Sequence, residues 1–296
     1  MKLGVTLPNG WGVDDPQQSV TVARLVEDRG LDSVWVQDHL FNVGFIRDRL
    51  EDRPYWHPLA TLTAVAVQTS RITLGSSVLV LPYHNPIDLA KYIATLDHFS
   101  NGRTVIGVGV GALEPEFRAL GIPMSQRAAL TDEALELMKE LWTSTEPAFA
   151  SERWQFSEVK FSPKCYQQPH VPIWVGGNSA GARRRAARLG DAWHPLGGDP
   201  AAVAEQFAGV RKMAEQAGRD PGAVGLTFRV TVAAQHQGSS YRPVIGDATT
   251  ADAIVDLLNR YAEIGVEHVV LGLDIAGMEA ITDVVEYVAA EIKPQI

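Results

Sequence analysis

The chain has a single cysteine, Cys165, in 296 residues. No disulfide can form within it, and a reducing, cytoplasmic compartment is the expectation. Long apolar runs are also missing. None approaches the ~18 residues of a membrane-spanning helix, and the opening Met1-Lys2-Leu3-Gly4-Val5 lacks the extended apolar segment of a secretory leader. A soluble protein with no membrane partner is expected. Positive charge is scarce, 26 Lys plus Arg against 35 Asp plus Glu for a net −9, and no basic stripe alternates with aromatics. Nucleic acid drops out as a partner. The eight histidines (39, 57, 84, 98, 170, 194, 236, 268) show no H-E-x-x-H or paired Cys/His spacing, so no metal site is expected. Gly75-Ser76-Ser77-Val78 is not a G-x-S-x-G nucleophile elbow, which removes hydrolysis by an activated serine.

What the chain does have is apolar material, 46% of its residues, arranged as an alternation of short β-rich runs and amphipathic stretches. The strand candidates are Leu3 to Thr6, Ser33 to Gln37, Ile72 to Val80, Thr104 to Gly109, Ile173 to Gly176, Ala192 to Leu196, Leu226 to Ala233 and Val269 to Leu273. Most are continuous Val/Ile/Leu/Trp runs, the pattern of strands covered on both faces of a parallel sheet. The intervening helices carry end signals: Pro16 opens one that stops at Gly30, and Pro86 opens one that stops near Asn101-Gly102. Ala134, Leu137, Met138, Leu141 and Trp142 mark a fourth helix, and the last runs from about Gly277 to Glu291. Eight βα units in a chain of this length match an α/β (β/α)8 TIM barrel, one domain over residues 1–296.

Two stretches exceed ordinary connections and read as insertion segments. Residues 39–57 follow the second strand and carry Phe41, Phe45, Tyr55 and Trp56 on the face where barrel active sites occur. Residues 144–171 follow the fourth helix, with Trp154, Phe156 and Phe161, and suit either decoration or a dimer surface.

Three motifs carry possible chemistry. Asp38-His39 ends the second strand at the catalytic rim, where a carboxylate beside an imidazole can favour its charged form and fix its tautomer; a rim histidine packed under the loop is the plainer reading. Gly107-Val108-Gly109-Val110-Gly111-Ala112 fits a loose dinucleotide fingerprint, but Asp132 and Glu133 sit in a helical pattern where a Rossmann fold wants a strand ending in an acid. These glycines read instead as room for a flat ring against the barrel. Gly176-Gly177-Asn178-Ser179 joins a strand to a helix start, offering free amides and a helix dipole to a phosphate, or serving as an ordinary turn with Ser179 as cap. Arg183, Arg184, Arg185 and Arg188 read as a solvated face.

Taken in order, Lys2 to Pro8, Asp38-His39, Ile72 to Val78, Gly107 to Gly111 with Glu116-Phe117, Arg127, Glu133, Leu141-Trp142, Gly176 to Asn178 and Arg185 to Trp193 resemble the bacterial luciferase-like flavin and deazaflavin family. Within it the chain looks most like the coenzyme F420-dependent oxidoreductases. That resemblance implies F420 held at the carboxyl ends of the strands, usually in a homodimer, with hydride transfer at the deazaflavin ring. It also implies a cis peptide at Ser77-Val78 against the ring, with Gly109 and Gly111 nearby and Gly176, Gly177 and Asn178 on the phosphate. Ala112 stands where sugar-phosphate dehydrogenases of the family carry a catalytic glutamate, with Glu114 and Glu116 close by, which argues against a glucose-6-phosphate dehydrogenase.

The resulting expectation is an F420-dependent oxidoreductase acting on a small organic substrate. His39 is its acid, base or polar anchor; Asp38 orients His39 or contacts the cofactor; Phe41, Phe45 and Trp56 shape an apolar pocket. The alternatives are an FMN-dependent monooxygenase on the same scaffold and a non-catalytic flavin-binding or structural barrel.

Overall fold

The computed structural model describes residues 1–11 and 13–296. Its strands are β1 (Lys2–Thr6), β2 (Ser33–Val36), β3 (Thr73–Val80), β4 (Thr104–Gly109), β5 (Phe149–Ala150), β6 (Gln155–Phe156), β7 (Ile173–Gly176), β8 (Ala192–His194), β9 (Gly225–Gln237), β10 (Ser240–Val244) and β11 (Val266–Leu273). Eight of them close a parallel ring in the order β1-β2-β3-β4-β7-β8-β9-β11, with β11 pairing back onto β1. All eight coincide with the runs marked in the sequence. The helices are α1 (Gln17–Asp28), α2 (Phe45–Leu50), α3 (Pro58–Ala66), α4 (Pro86–Phe99), α5 (Glu114–Ala119), α6 (Arg127–Thr143), α7 (Ala180–Leu189), α8 (Pro200–Gln216), α9 (Ala251–Glu263) and α10 (Met278–Tyr287). Caps fix several starts: the side chains of Asn85, Ser179, Asp199 and Thr250 accept amide bonds from the first turns of α4, α7, α8 and α9.

Strand alternation separates two apolar regions. Leu3, Val5, Val34, Val36, Leu74, Ile106, Val108, Ile173 and Leu271 belong to the large core that includes the helices. Trp35, Val105, Trp174, Ala192 and Val270 form a separate cluster. Trp35 fits because its neighbours lack side chains: a Cβ on Gly75 would lie 2.1 Å from its ring, and one on Gly4 2.8 Å from its Nε1. It stacks on Trp174 with centroids 4.5 Å apart, and His268 meets both rings edge-on. Ser33 Oγ accepts from Trp35 Nε1 at 2.7 Å and lies 2.6 Å from His268 Nε2. His194 bridges Ser77 Oγ (2.9 Å) and Thr227 Oγ1 (2.8 Å). Burial pushes both imidazoles down to about 3, so this floor is neutral and hydrogen-bonded at ordinary pH.

The two insertions differ. Residues 39–57 contain α2 and stay at the carboxyl end of the ring; residues 144–171 form the β5–β6 hairpin and then run along α4 and α6. Lys164 Nζ binds the carbonyls of Leu141 and Ser144, and Gln167 binds Asp97 and the Thr104 carbonyl. A second hairpin, β9–β10, was not marked in the sequence; its turn is Gly238-Ser239, with Gly238 at φ +65. The last helix ends at Tyr287 and continues as a wider π turn over Val288–Ile292, short of the straight run expected to Glu291.

Candidate active site

The ends of β2, β3 and β4 converge on a chain of titratable groups. Asp38, 2% exposed, follows β2; its Oδ2 accepts from the Val80 amide at 2.9 Å and lies 2.7 Å from His84 Nε2, while Oδ1 is buried with no partner. Asp38 therefore orients His84, and the expectation that it orients His39 is corrected. The carboxylate of His39 comes from α5: Glu116 Oε2 lies 2.9 Å from His39 Nδ1 and accepts from Tyr83 Oη at 2.7 Å. Glu116 Oε1 accepts from the amides of Leu40 (2.7 Å) and Phe41 (3.2 Å). Burial opposes ionisation of this fully enclosed carboxyl, but the bonds from His39, Leu40 and Tyr83 outweigh it and hold it below its ordinary value. A carboxylate at Nδ1 favours the tautomer with the proton on that nitrogen.

The loop aromatics divide their tasks. Phe45, 55% exposed, meets the His39 ring edge-on at 5.8 Å, and Tyr55 does so from another side at 5.7 Å. Phe41 is exposed at the rim. Trp56, expected to shape the apolar pocket, is a strut: its indole donates to Val13 O at 2.8 Å and its amide to Asn9 O at 2.8 Å, and it is Tyr55 that packs beside His39. Asn9 completes this tie, its amide group donating to the carbonyls of Gln37 and Trp56.

The Ser77-Val78 peptide is cis, and the β3–β4 register shifts between Ser76 and Leu79. The adjacent glycines serve this bulge. A Cβ on Gly107 would lie 2.1 Å from the Ser76 carbonyl oxygen, and Cβ atoms on Gly109 and Gly176 would lie 2.7 and 2.8 Å from Val78 methyls. The space attributed to a flat ring is thus filled by the chain itself. Gly111, at φ +78, is hemmed in by Val80 and Phe117.

The glycine turn after β7 also needs correcting in detail. The Gly177 amide is engaged by His194 O at 3.2 Å, and the Asn178 side chain is held at both ends by the Leu196 backbone (2.7 and 2.9 Å). What remains for an anion is the first turn of α7, with the exposed Arg184 close to Gly181. The solvated face expected of the four arginines holds for Arg184 and for Arg188, which meets Glu136 at the surface, but not for Arg185, buried on Asp132 and the Ala128 carbonyl, nor for part-buried Arg183, which binds Asn178 O and Gln206. Asp132 lies on α6, as the rejection of a Rossmann reading requires.

Sequence reasoning missed Glu116 as a partner, together with Tyr83, His84, Arg49 and Arg229. Glu116-Phe117 was visible as a motif, but only the fold brings α5 back over the end of β2.

The chain belongs to the luciferase-like monooxygenase family, whose model matches residues 1–268. An F420-dependent glucose-6-phosphate dehydrogenase of Amycolatopsis mediterranei is 34% identical over 182 residues, 60% of this chain and 52% of the relative. A monooxygenase of Streptomyces bottropensis superposes with TM-score 0.82 at 20% identity over 99% of each chain. An F420-dependent secondary alcohol dehydrogenase, solved with an F420-acetone adduct, superposes with TM-score 0.80 at 19% identity, covering 100% of this chain and 99% of that one. These two likenesses establish the barrel.

Proposed function

We propose that this luciferase-like barrel is an F420-dependent oxidoreductase that exchanges a hydride between the deazaflavin and a small organic substrate beneath residues 39–57. The observation that carries the reading is the His39–Glu116 pair, an imidazole locked by a buried carboxylate at the mouth of the barrel with no hydrogen bond to its other nitrogen among the described residues. The mouth suits a polar ring. Asp38 Oδ1, Tyr55 Oη, Arg49 Nε and Arg229 Nε are buried there without partners among the described residues, and buried polar atoms normally have them. Asp38 and the Ser77-Val78 bulge would hold the ring, and the first turn of α7 with Arg184 would hold the phosphate, at the end of the turn that Gly177 shapes. The bound deazaflavin supplies the hydride acceptor or donor.

His39 Nε2 holds or takes the proton that accompanies that transfer, and Glu116 stabilises the imidazolium form while it does so. Phe45 and Tyr55 shield the imidazole from bulk water. The relative of Amycolatopsis supports F420 over FMN, while Ala112 keeps a sugar phosphate out of the proposal.

Fluorescence-quenching titration with F420 and FMN tests the reading. F420 is expected to bind clearly tighter. Equal or reversed affinities favour a flavin monooxygenase, and binding of neither favours a non-catalytic barrel.

A further inference from the structure

Two arginines at the mouth lack counter-charges. Arg49, on α2, donates from Nη2 to Gly10 O at 2.7 Å and lies 4.0 Å above the Trp11 ring, but its Nε is sealed without an acceptor among the described residues. Arg229 projects from β9 and donates from Nη1 to the Ser77 carbonyl. Its Nε is likewise sealed, against Gly272, where a Cβ would come within 2.7 Å. Among the described residues neither guanidinium has a carboxylate at ion-pair distance. The nearby acids are committed or exposed: Asp38 to His84, Glu116 to His39, and Asp274 to solvent.

The third member is Tyr55. A Cβ on Gly10, the residue whose carbonyl binds Arg49, would lie 2.9 Å from the Tyr55 hydroxyl, so the two side chains meet at the same point of the β1 loop. That hydroxyl is buried with no partner among the described residues. Burial, then the Asp38 charge, push the phenol well above its ordinary value, so it stays a donor. Burial lowers both arginines, and the Arg49 charge also acts on Arg229. The orphan atoms themselves are closed off, but both arginines are only part-buried as residues, so two positive charges with no counter-charge stand beside a phenol donor, an arrangement that an anion at the mouth would offset.

We propose that Arg49, Arg229 and Tyr55 form an anion seat, and that the ligand group placed there is a carboxylate, a phosphate or the anionic edge of a reduced ring. This deepens, and rests on, the reading of the mouth as the ligand site. It narrows the substrate to an acid if the ring does not fill the seat.

The test compares acetate with acetamide at matched ionic strength, by saturation-transfer NMR, on the wild type and on Arg49→Gln and Arg229→Gln, each with and without F420. If the substrate supplies the anion, the wild type with F420 prefers acetate by about tenfold or more, the usual scale of a charge-assisted bond. Each variant then loses that preference while F420 affinity stays within a few fold. If the ring supplies it, acetate is not preferred once F420 is bound, and the variants weaken reduced F420 more than oxidised F420. No acetate preference in any state, with unchanged affinity of the variants for both redox forms, overturns the seat. Should Arg229→Gln fail to fold, Arg49→Gln and the wild-type preference decide. Should the wild type bind no F420, the cofactor reading falls, and acetate against acetamide on the protein alone still decides the seat.

Discussion

The floor and the mouth of the barrel are built from the same kinds of residue, yet they treat polar atoms in opposite ways. On the floor, Trp35 Nε1, Ser33, His268, His194, Ser77 and Thr227 all find partners, and both imidazoles are neutral. At the mouth, Asp38 Oδ1, Tyr55 Oη, Arg49 Nε and Arg229 Nε are sealed and unmatched among the described residues. The first arrangement contributes to stability; the second leaves buried polar atoms uncompensated, which costs stability. His39 sits at the boundary, held at Nδ1 by the enclosed Glu116 and with no bond to Nε2 among the described residues.

The largest effect that would sharpen this contrast is on chemistry. His39→Ala should lower the single-turnover rate of hydride transfer by about 10² to 10⁴ with F420 affinity within a few fold. If saturating F420 restores the wild-type rate, His39 belongs with the binding residues. Acid should next attack the floor. His194 and His268 titrate near 3 in the fold and near 6.5 when unfolded, so the unfolded chain binds the extra protons between those values. Stability is therefore full above about pH 6.5 and falls toward pH 3 by ~1.4 kcal/mol per unit for each histidine. Glu116, held low, adds to the loss as pH falls below the ordinary carboxylate range. Urea midpoints across pH 7 to 4 read this directly, and a flat profile would mean that the floor is wet.

Smaller effects separate the two regions residue by residue. Ser33→Ala strands Trp35 Nε1 and leaves His268 Nε2 unpartnered, and should cost about 1 to 3 kcal/mol in denaturant unfolding. Gly177→Val forces a branched side chain into φ +107; with ~1 to 3 kcal/mol of strain it should weaken F420 binding by about tenfold in a folded barrel. An unchanged dissociation constant removes that turn from the site. Tyr55→Phe removes a bond that is not made, so unfolding of the ligand-free protein should shift by less than about 1 kcal/mol. A larger loss would show that the mouth is as closed as the floor.

The ring was legible because its signals are local. Apolar runs such as Val34-Trp35-Val36 and Ile173-Trp174-Val175 read as buried parallel strands, and Pro86 with Asn85 announces α4. The β9–β10 hairpin escaped because Gln235, His236 and Gln237 are polar and exposed, leaving only Gly238-Ser239 as a cue. The site was legible in outline and misassigned in its pairings. Asp38 and His39 are adjacent in sequence, but side chains of consecutive residues diverge as the strand ends, so each finds its partner on another element, His84 before α4 and Glu116 on α5. The glycines misled for a related reason, since sequence shows that a side chain is missing without showing what occupies the space.

The seam of the ring bears on how the chain is made. Leu3 pairs with Val269, and the Leu273 amide reaches Thr6 Oγ1 across 267 positions. Arg29 meets Glu286 and Asp32 meets Lys293 along the same line. During synthesis β1 therefore waits with one bare edge until almost the whole chain has emerged, and an open parallel sheet with two free edges invites pairing with other chains. The stretch from Val266 to Lys293 acts as a clasp. A chain halted before it carries every residue of the mouth, His39 and Glu116 included, but has no closed circle to keep them facing one another.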